Sequence, residues 1–213
     1  MLVFLDDDAF VCEGYLDRLG AYIEEYPDMM AFGGKITPLF ENGCAPVWLS
    51  KWSMSWLSAL DRGETVTLFD KGLYPIGANM GIKRECLNII GPFNTSLGRT
   101  AGNLMGGEEK DLFDRIHSAR LPVYYFPEVS VRHNIPESRT SMDYVHKLGM
   151  GVGRSERVRT LAISKFRYAG RLFREAVKWA GTLVLWLFYF VKGQRKKGDA
   201  LVVFRYNVTK GLV

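Results

Sequence analysis

The stretch LVFLDDDAF, Leu2 to Phe10, places the tightest limit on what this chain can fold into. Its leading apolar residues do not alternate, so residues 1–5 read as a short buried strand. Three carboxylates follow at once. Like charges side by side repel, and each loses solvation if it is buried. The strand must therefore end where those carboxylates meet water or a cation. A solvated acidic turn is the plain reading, and a cation site is the other.

Downstream, helix and strand patterns alternate. Residues 14–26 read as a helix stopped by Pro27, with Leu16, Leu19, Ile23 and Tyr26 at helical spacing. Residues 30–40 read as a strand broken at Gly33 and Gly34. Trp48, Trp52 and Trp56 lie four apart, as on one side of a helix. Residues 66–69 suggest a strand, and 72–84 an extended, glycine-punctuated segment. Residues 108–120 suggest a helix with Leu112, Ile116 and Ala119 inward. Residues 123–126 and 129–132 suggest two short strands split by Pro127. The class is α/β with a largely parallel sheet. In such sheets ligands sit at the carboxyl ends of strands, where Asp6–Asp8 would lie.

Charge divides the chain. Residues 1–153 carry 14 Lys/Arg against 20 Asp/Glu, a balance of −6, whereas residues 154–213 carry 14 against 3, a balance of +11. An acidic body with a basic tail points to phosphates as the tail's partner. Arg167, Arg171, Arg174 and Lys178 fall on one helical stripe, with Phe166, Ala169, Leu172, Phe173 and Val177 opposite. Thirteen uncharged residues follow, 179–191, then Lys192, Arg195, Lys196 and Lys197. As a helix that run is about 20 Å long, short of a hydrocarbon core of roughly 30 Å. A membrane-surface element fits it better than a full span. Aromatic residues here cluster instead of alternating with cations, which argues against a nucleic-acid platform. Cys12, Cys44 and Cys86 are few and scattered, which fits a reducing compartment. No basic stretch precedes the first apolar run, so it does not read as a signal peptide.

Two further stretches carry polar chemistry. GGEEKDLFDRI, residues 106–116, puts two glycines at the mouth of a helix and Glu108 and Glu109 in its first turn. VSVRHNIPESR sets His133 at the end of a strand, with Arg139 beyond Pro136, whereas His117 and His146 read as ordinary helix-surface residues.

Taken in order, these stretches resemble the family 2 glycosyltransferases of the GT-A fold: Asp6–Asp7–Asp8 as the DXD motif, GANMGIKRECLNIIGPFNTSLGR, then Gly107–Glu108–Glu109 with Asp111–Leu112, and YFPEVSVRHNIPESR. The likeness covers roughly residues 2–155. It implies a GT-A-like, Rossmann-related, mostly parallel sheet, with 1–153 a partial catalytic portion and 154–213 a basic, membrane-associating helical tail. The family places nucleotide-binding βα units before the DXD strand. None precedes Asp6 here, so the expectation is the catalytic half of a site, with an inactive fragment as the alternative.

The resemblance also implies a chemistry. The donor is a nucleotide-diphosphate sugar, and Mg²⁺ or Mn²⁺ neutralises its leaving group. Asp6 and Asp8 are the expected metal ligands and His133 a third, Mn²⁺ tolerating imidazole better than Mg²⁺ does. Asp6, Asp7, Asn79 and Arg139 are candidates for holding the donor, with Arg84 beside the donor sugar. Glu109, or Glu108 just before it, is the expected general base in an inverting displacement. Trp48, Trp52 and Trp56 are candidates for an acceptor wall. The acceptor is a glycan or a lipid-linked sugar, met at an anionic membrane surface on the cytoplasmic face. A haloacid-dehalogenase-like phosphohydrolase fits poorly, because Phe10 stands where the hydroxyl belongs and no later Asp-Asp pair exists.

Overall fold

The computed structural model describes residues 1–95 and 107–213. Gly106 and residues 96–99 of the second motif lie outside the described residues. The chain forms two compact units. One takes in Met1–Gly43, Leu57–Thr95 and Glu108–Ile135, and the other Cys44–Trp56 and Pro136–Val213.

The first unit is a six-stranded sheet with helices on both faces. Its strands are β1 (Leu2–Leu5), β2 (Ala9–Val11), β3 (Ala31–Phe40), β4 (Thr67–Leu68), β5 (Asn79–Ile82) and β6 (Val123–Ile135). They run in the order β1-β5-β3-β6-β2, with β4 also on β6. Side chains alternate across the sheet, so neighbours along a strand feed different cores. Phe32, Ile36, Phe126 and Val131 pack beneath α1 (Tyr15–Glu25). Ala31, Met80, Ile82, Val123 and Tyr125 face α2 (Arg84–Ile90) and α3 (Glu108–Ser118).

Several expectations are corrected. The sheet is mixed, not mostly parallel: only β3 and β6 pair parallel, and β5 runs antiparallel between β1 and β3. Periodicity reports burial, not strand direction, and no α-helix lies between β3 and β5 in the chain to make a parallel crossover. β1 is a sheet edge among the described residues, with Leu2, Val3 and Leu5 exposed, so its unbroken apolar run does not mark a buried strand. α1 buries Tyr15, Leu19 and Tyr22, and Leu16 faces out. β3 is continuous through Gly33 and Gly34, and β6 is one strand of 13 residues running through Pro127.

Pro127 lies within a wide bulge. β3 and β6 pair from Ala31↔Val123 to Gly34↔Phe126, then resume at Ile36↔Val131, so β6 spends five residues where β3 spends two. The unpaired carbonyls of such a break must find donors. Asn79 supplies them from β5, its Nδ2 donating to the carbonyls of Lys35 (3.1 Å) and Val129 (2.8 Å). Its Oδ1 accepts from the Tyr15 hydroxyl at 2.8 Å. Burial pushes that hydroxyl up to about 12. Gly34 leaves the space: a Cβ there would overlap the Val129 carbonyl and the Asn79 amide.

In the second unit, residues 44–56 are turns ending in a short 3₁₀ segment, Met54–Leu57, so the tryptophans do not share an α-helix. Three helices follow: α4 (Met142–Ile163), α5 (Lys165–Val191) and α6 (Arg195–Leu212). Ser141 caps α4, accepting from the Tyr144 amide, and Ser164 caps α5, accepting from the Arg167 amide at 3.1 Å. α4 and α6 approach closely at Gly149, Gly153 and Gly211, where a Cβ on Gly153 would overlap the Val208 carbonyl.

α5 departs from the expected cation stripe. Arg171 is only 4% exposed and Glu175 only 3%. Arg171 Nε meets Glu156 at 2.9 Å and its Nη1 meets Glu175 at 2.6 Å, while Arg205 reaches Glu175 at 3.0 Å. A buried guanidinium needs carboxylates around it, so the i+4 spacing that read as a phosphate-facing row also serves an inward ion pair. Among the described residues, no helix is long and apolar enough to cross a membrane.

Candidate functional site

The three co-directional strands β1, β3 and β6 share a carboxyl end in the first unit. Asp6–Asp8 make the turn that leaves β1, closed by the Ala9 amide donating to the Asp6 carbonyl at 3.1 Å. β2 then returns antiparallel along β6, setting Ala9 opposite His133. That register brings a side chain from late in the sequence to the first acidic turn.

His133 is fully buried, and its Nε2 lies 2.9 Å from Asp8 Oδ1 and 3.8 Å from Asp6 Oδ2. With its proton on Nε2 the ring donates a hydrogen bond to the Asp8 carboxylate, and with the proton on Nδ1 the Nε2 lone pair is open to a cation. Nδ1 is buried with no hydrogen-bond partner among the described residues. Asp6, Asp8 and His133 offer one ligand atom each within 4.8 Å of one another.

This donor set fits a divalent cation. Two ligands a quarter-turn apart on bonds of roughly 2.1 Å lie about 3 Å from each other. The His133–Asp8 separation falls at that spacing, and the His133–Asp6 separation of 3.8 Å is wider. Two carboxylates and an imidazole suit Mn²⁺ or, with more of the shell supplied by oxygen, Mg²⁺. Asp7 is exposed and stands outside the cluster.

The second acidic stretch is tied to the same end of the sheet. β5 runs against β1 with Asn79 opposite Leu5, so Gly77 lies two residues beyond the last pair, toward the Asp6 turn. Its amide donates to Glu109 Oε1 at 3.2 Å, and a Cβ at 77 would lie only 2.7 Å from that oxygen and push the carboxylate aside. Glu108, Glu109 and Asp111 fill the first turn of α3, where the helix dipole favours negative charge. Glu108 Oε2 is buried without a hydrogen-bond partner among the described residues. Asp111 is engaged with Arg115 at 3.1 Å, one helical turn on.

The remaining sequence candidates lie elsewhere. Asn79 spends its amide on the bulge between β3 and β6. Arg84 is exposed at the start of α2. Arg139 is in the second unit, on the 3₁₀ turn Glu137–Thr140. Trp48 and Trp56 are buried there and stack at 5.9 Å, Trp56 also lying 4.2 Å from Phe204. Trp48 Nε1 donates to the Thr140 carbonyl at 2.7 Å. Trp52 keeps an open ring, with the Lys51 ammonium 5.0 Å from its centroid. Sequence reasoning missed Gly77, whose only signal was a glycine ahead of a strand.

No family model matches the chain. A succinoglycan biosynthesis protein, ExoM, of Rhizobium meliloti is 28% identical over 149 residues, covering 68% of this chain and 43% of that protein. A glucosyl-dolichyl phosphate glucuronosyltransferase of Haloferax volcanii is 25% identical over 162 residues, covering 76% of this chain and 51% of that protein. The chain spans about half the length of the curated relatives it matches. One relative is thus named as a glucuronosyltransferase and the other as a succinoglycan biosynthesis protein.

Proposed function

We propose that this chain carries the metal-binding and acceptor-activating part of an inverting glycosyltransferase of the GT-A, family 2 type. One observation carries the reading. Two acidic stretches about a hundred residues apart in sequence lie at the same end of a sheet, the first with a buried histidine beside its carboxylates and the second tethered by Gly77. The two relatives support the same class.

Asp6, Asp8 and His133 would hold Mn²⁺ or Mg²⁺, which supplies positive charge to the departing diphosphate. Asp7 and Arg139 remain separate candidates for the donor, each in its own unit, while Asn79 and Gly34 serve the bulge between β3 and β6. The acceptor hydroxyl forms the new bond to the anomeric carbon as the bond to the diphosphate oxygen breaks. The nucleoside diphosphate leaves with that electron pair, and the hydroxyl proton passes to a carboxylate. Glu109 takes that proton, with its Oε1 held by the Gly77 amide. Glu108 is the competing assignment. A single displacement inverts the anomeric centre. Trp52, with its open ring, is the acceptor-stacking candidate. The acceptor is a glycan or lipid-linked sugar at the cytoplasmic membrane surface, which residues 154–213 approach.

Titration calorimetry with Mn²⁺, in the presence and absence of a nucleoside diphosphate, tests this. Binding of Mn²⁺ that the nucleotide tightens, and that Asp8→Ala removes, is the expected result. Equal Mn²⁺ affinity in the wild type and Asp8→Ala would sink the metal assignment.

A further inference from the structure

We propose that the outward face of α5 is a lipid-contact surface that lies in the plane of an anionic bilayer. The proposal rests on the membrane-surface part of the reading above, and not on the metal cluster. It names the face, its orientation and its chemistry.

α5 is built inside out for a water-soluble helix. Its inward side holds the Arg171–Glu175 pair, with Trp179 Nε1 bonded to the Thr209 hydroxyl at 2.9 Å and Thr182 buried. Its outward side holds Phe166, Phe173, Val177, Val184 and Val191, exposed by 91, 72, 58, 69 and 77%. At 100° per residue these five fall within roughly 40° of one another, in a stripe about 38 Å long. No charged residue of α5 comes within roughly 80° of the stripe's centre. Leu187 and Phe188 widen it and are about half exposed. A soluble protein rarely leaves a contiguous apolar patch of this length uncovered.

Charge selects the occupant. Glu175 is the one acid on α5, and it is buried. The exposed charges on α5 are therefore cations, Lys165, Arg167 and Arg174 among them, and Lys192, Arg195 and Lys196 follow it in the chain, Arg195 paired with Asp199 at 3.4 Å. A second copy of this face would bring cations against cations. An anionic bilayer surface offers acyl chains to the stripe and phosphates to its flanks. No described helix is able to span the membrane, so α5 lies flat.

The test is co-sedimentation of the full chain with phosphatidylcholine vesicles, with and without one part in three of phosphatidylglycerol. Binding to the anionic vesicles is expected to fall at least tenfold in Phe173→Asp/Val184→Asp, while Leu16→Asp, an equally exposed site on α1, leaves it unchanged. Phe173→Lys/Val184→Lys separates apolar insertion from charge attraction. Weaker binding supports the proposal, and binding that is equal or stronger overturns it. No vesicle binding by the wild type also overturns it. So does a wild-type dimer that the aspartate variants dissociate, which would assign the face to a second copy. Circular dichroism of each variant controls for folding. Metal binding that persists in Phe173→Asp/Val184→Asp keeps this outcome separate from the fate of the sugar-transfer reading.

Discussion

At the scale of single residues, Glu109 and Glu108 offer a discriminating test, because the fold treats them differently. Glu109 accepts from the Gly77 amide, whereas Glu108 Oε2 is buried without a partner among the described residues. If Glu109 is the base, Glu109→Gln lowers kcat by about 10²–10⁴ with little change in KM. Glu108→Gln then acts chiefly through the helix start, at a cost of about 1 kcal/mol or less. Turnover of both variants decides between them, and the reverse order would move the base to Glu108. Gly34 gives a stability prediction. Gly34→Ala pushes a methyl into the Val129 carbonyl and the Asn79 amide, and is expected to destabilise the first unit by about 2 kcal/mol or more in denaturant unfolding. The acidic turn and His133 were legible in sequence because three like charges after an apolar run, and a histidine at a strand end, are unusual placements. The work of Asn79 was not legible, because a bulge that needs donors exists only once β3 and β6 have paired. Gly77 was hidden in the same way, since its contact with Glu109 spans 32 residues.

At the scale of elements, β6 and α5 mark where pattern reading failed. Pro127 breaks a strand in sequence logic, yet here it lies in the bulge, where no ladder bond to β3 is required of it. On α5 the 3.6-residue period does not give the inward side, since ion pairing and phosphate contact ask for the same spacing of cations. Glu175 makes the difference measurable. Burial pushes its carboxyl up, but hydrogen bonds and charge from Arg171 and Arg205 outweigh this and hold it below the ordinary value of 4.5. A carboxyl lowered in the folded state stabilises above its unfolded value and loses that contribution as the pH falls through the folded value. The helical unit is therefore expected to lose stability below about pH 4.5, and Glu175→Gln to flatten that loss. At neutral pH the same variant leaves Arg171 and Arg205 short of a carboxylate and costs about 3 kcal/mol. Thermal unfolding followed across pH checks both, and an unchanged acid limb in Glu175→Gln would show that the pair is not the cause.

At the scale of the whole molecule, the charge division of the sequence acquires two different meanings. The acidic body concentrates two carboxylate stretches at one sheet end, and the basic tail resolves into buried pairs on one side of α5 and flanking cations on the other. If the first is a cation site and the second a lipid surface, substitutions should separate them, since sites with no shared partner contribute additively. A ligand that binds only the folded state stabilises it by RT ln(1 + [L]/Kd), about 2.7 kcal/mol at a hundred times Kd. Mn²⁺ at that level is expected to raise the stability of the first unit by this amount. All five tryptophans, Trp48, Trp52, Trp56, Trp179 and Trp186, belong to the second unit, so tryptophan fluorescence is the wrong probe. Hydrogen exchange at the amides of β1, β2 and β6 reads the right element. Exchange there should slow with Mn²⁺ in the wild type and in Phe173→Asp/Val184→Asp, but not in Asp8→Ala or His133→Ala. Protection that survives Asp8→Ala would mean the cation binds elsewhere, and the crowding of Asp6, Asp7 and Asp8 would return to being a solvated turn.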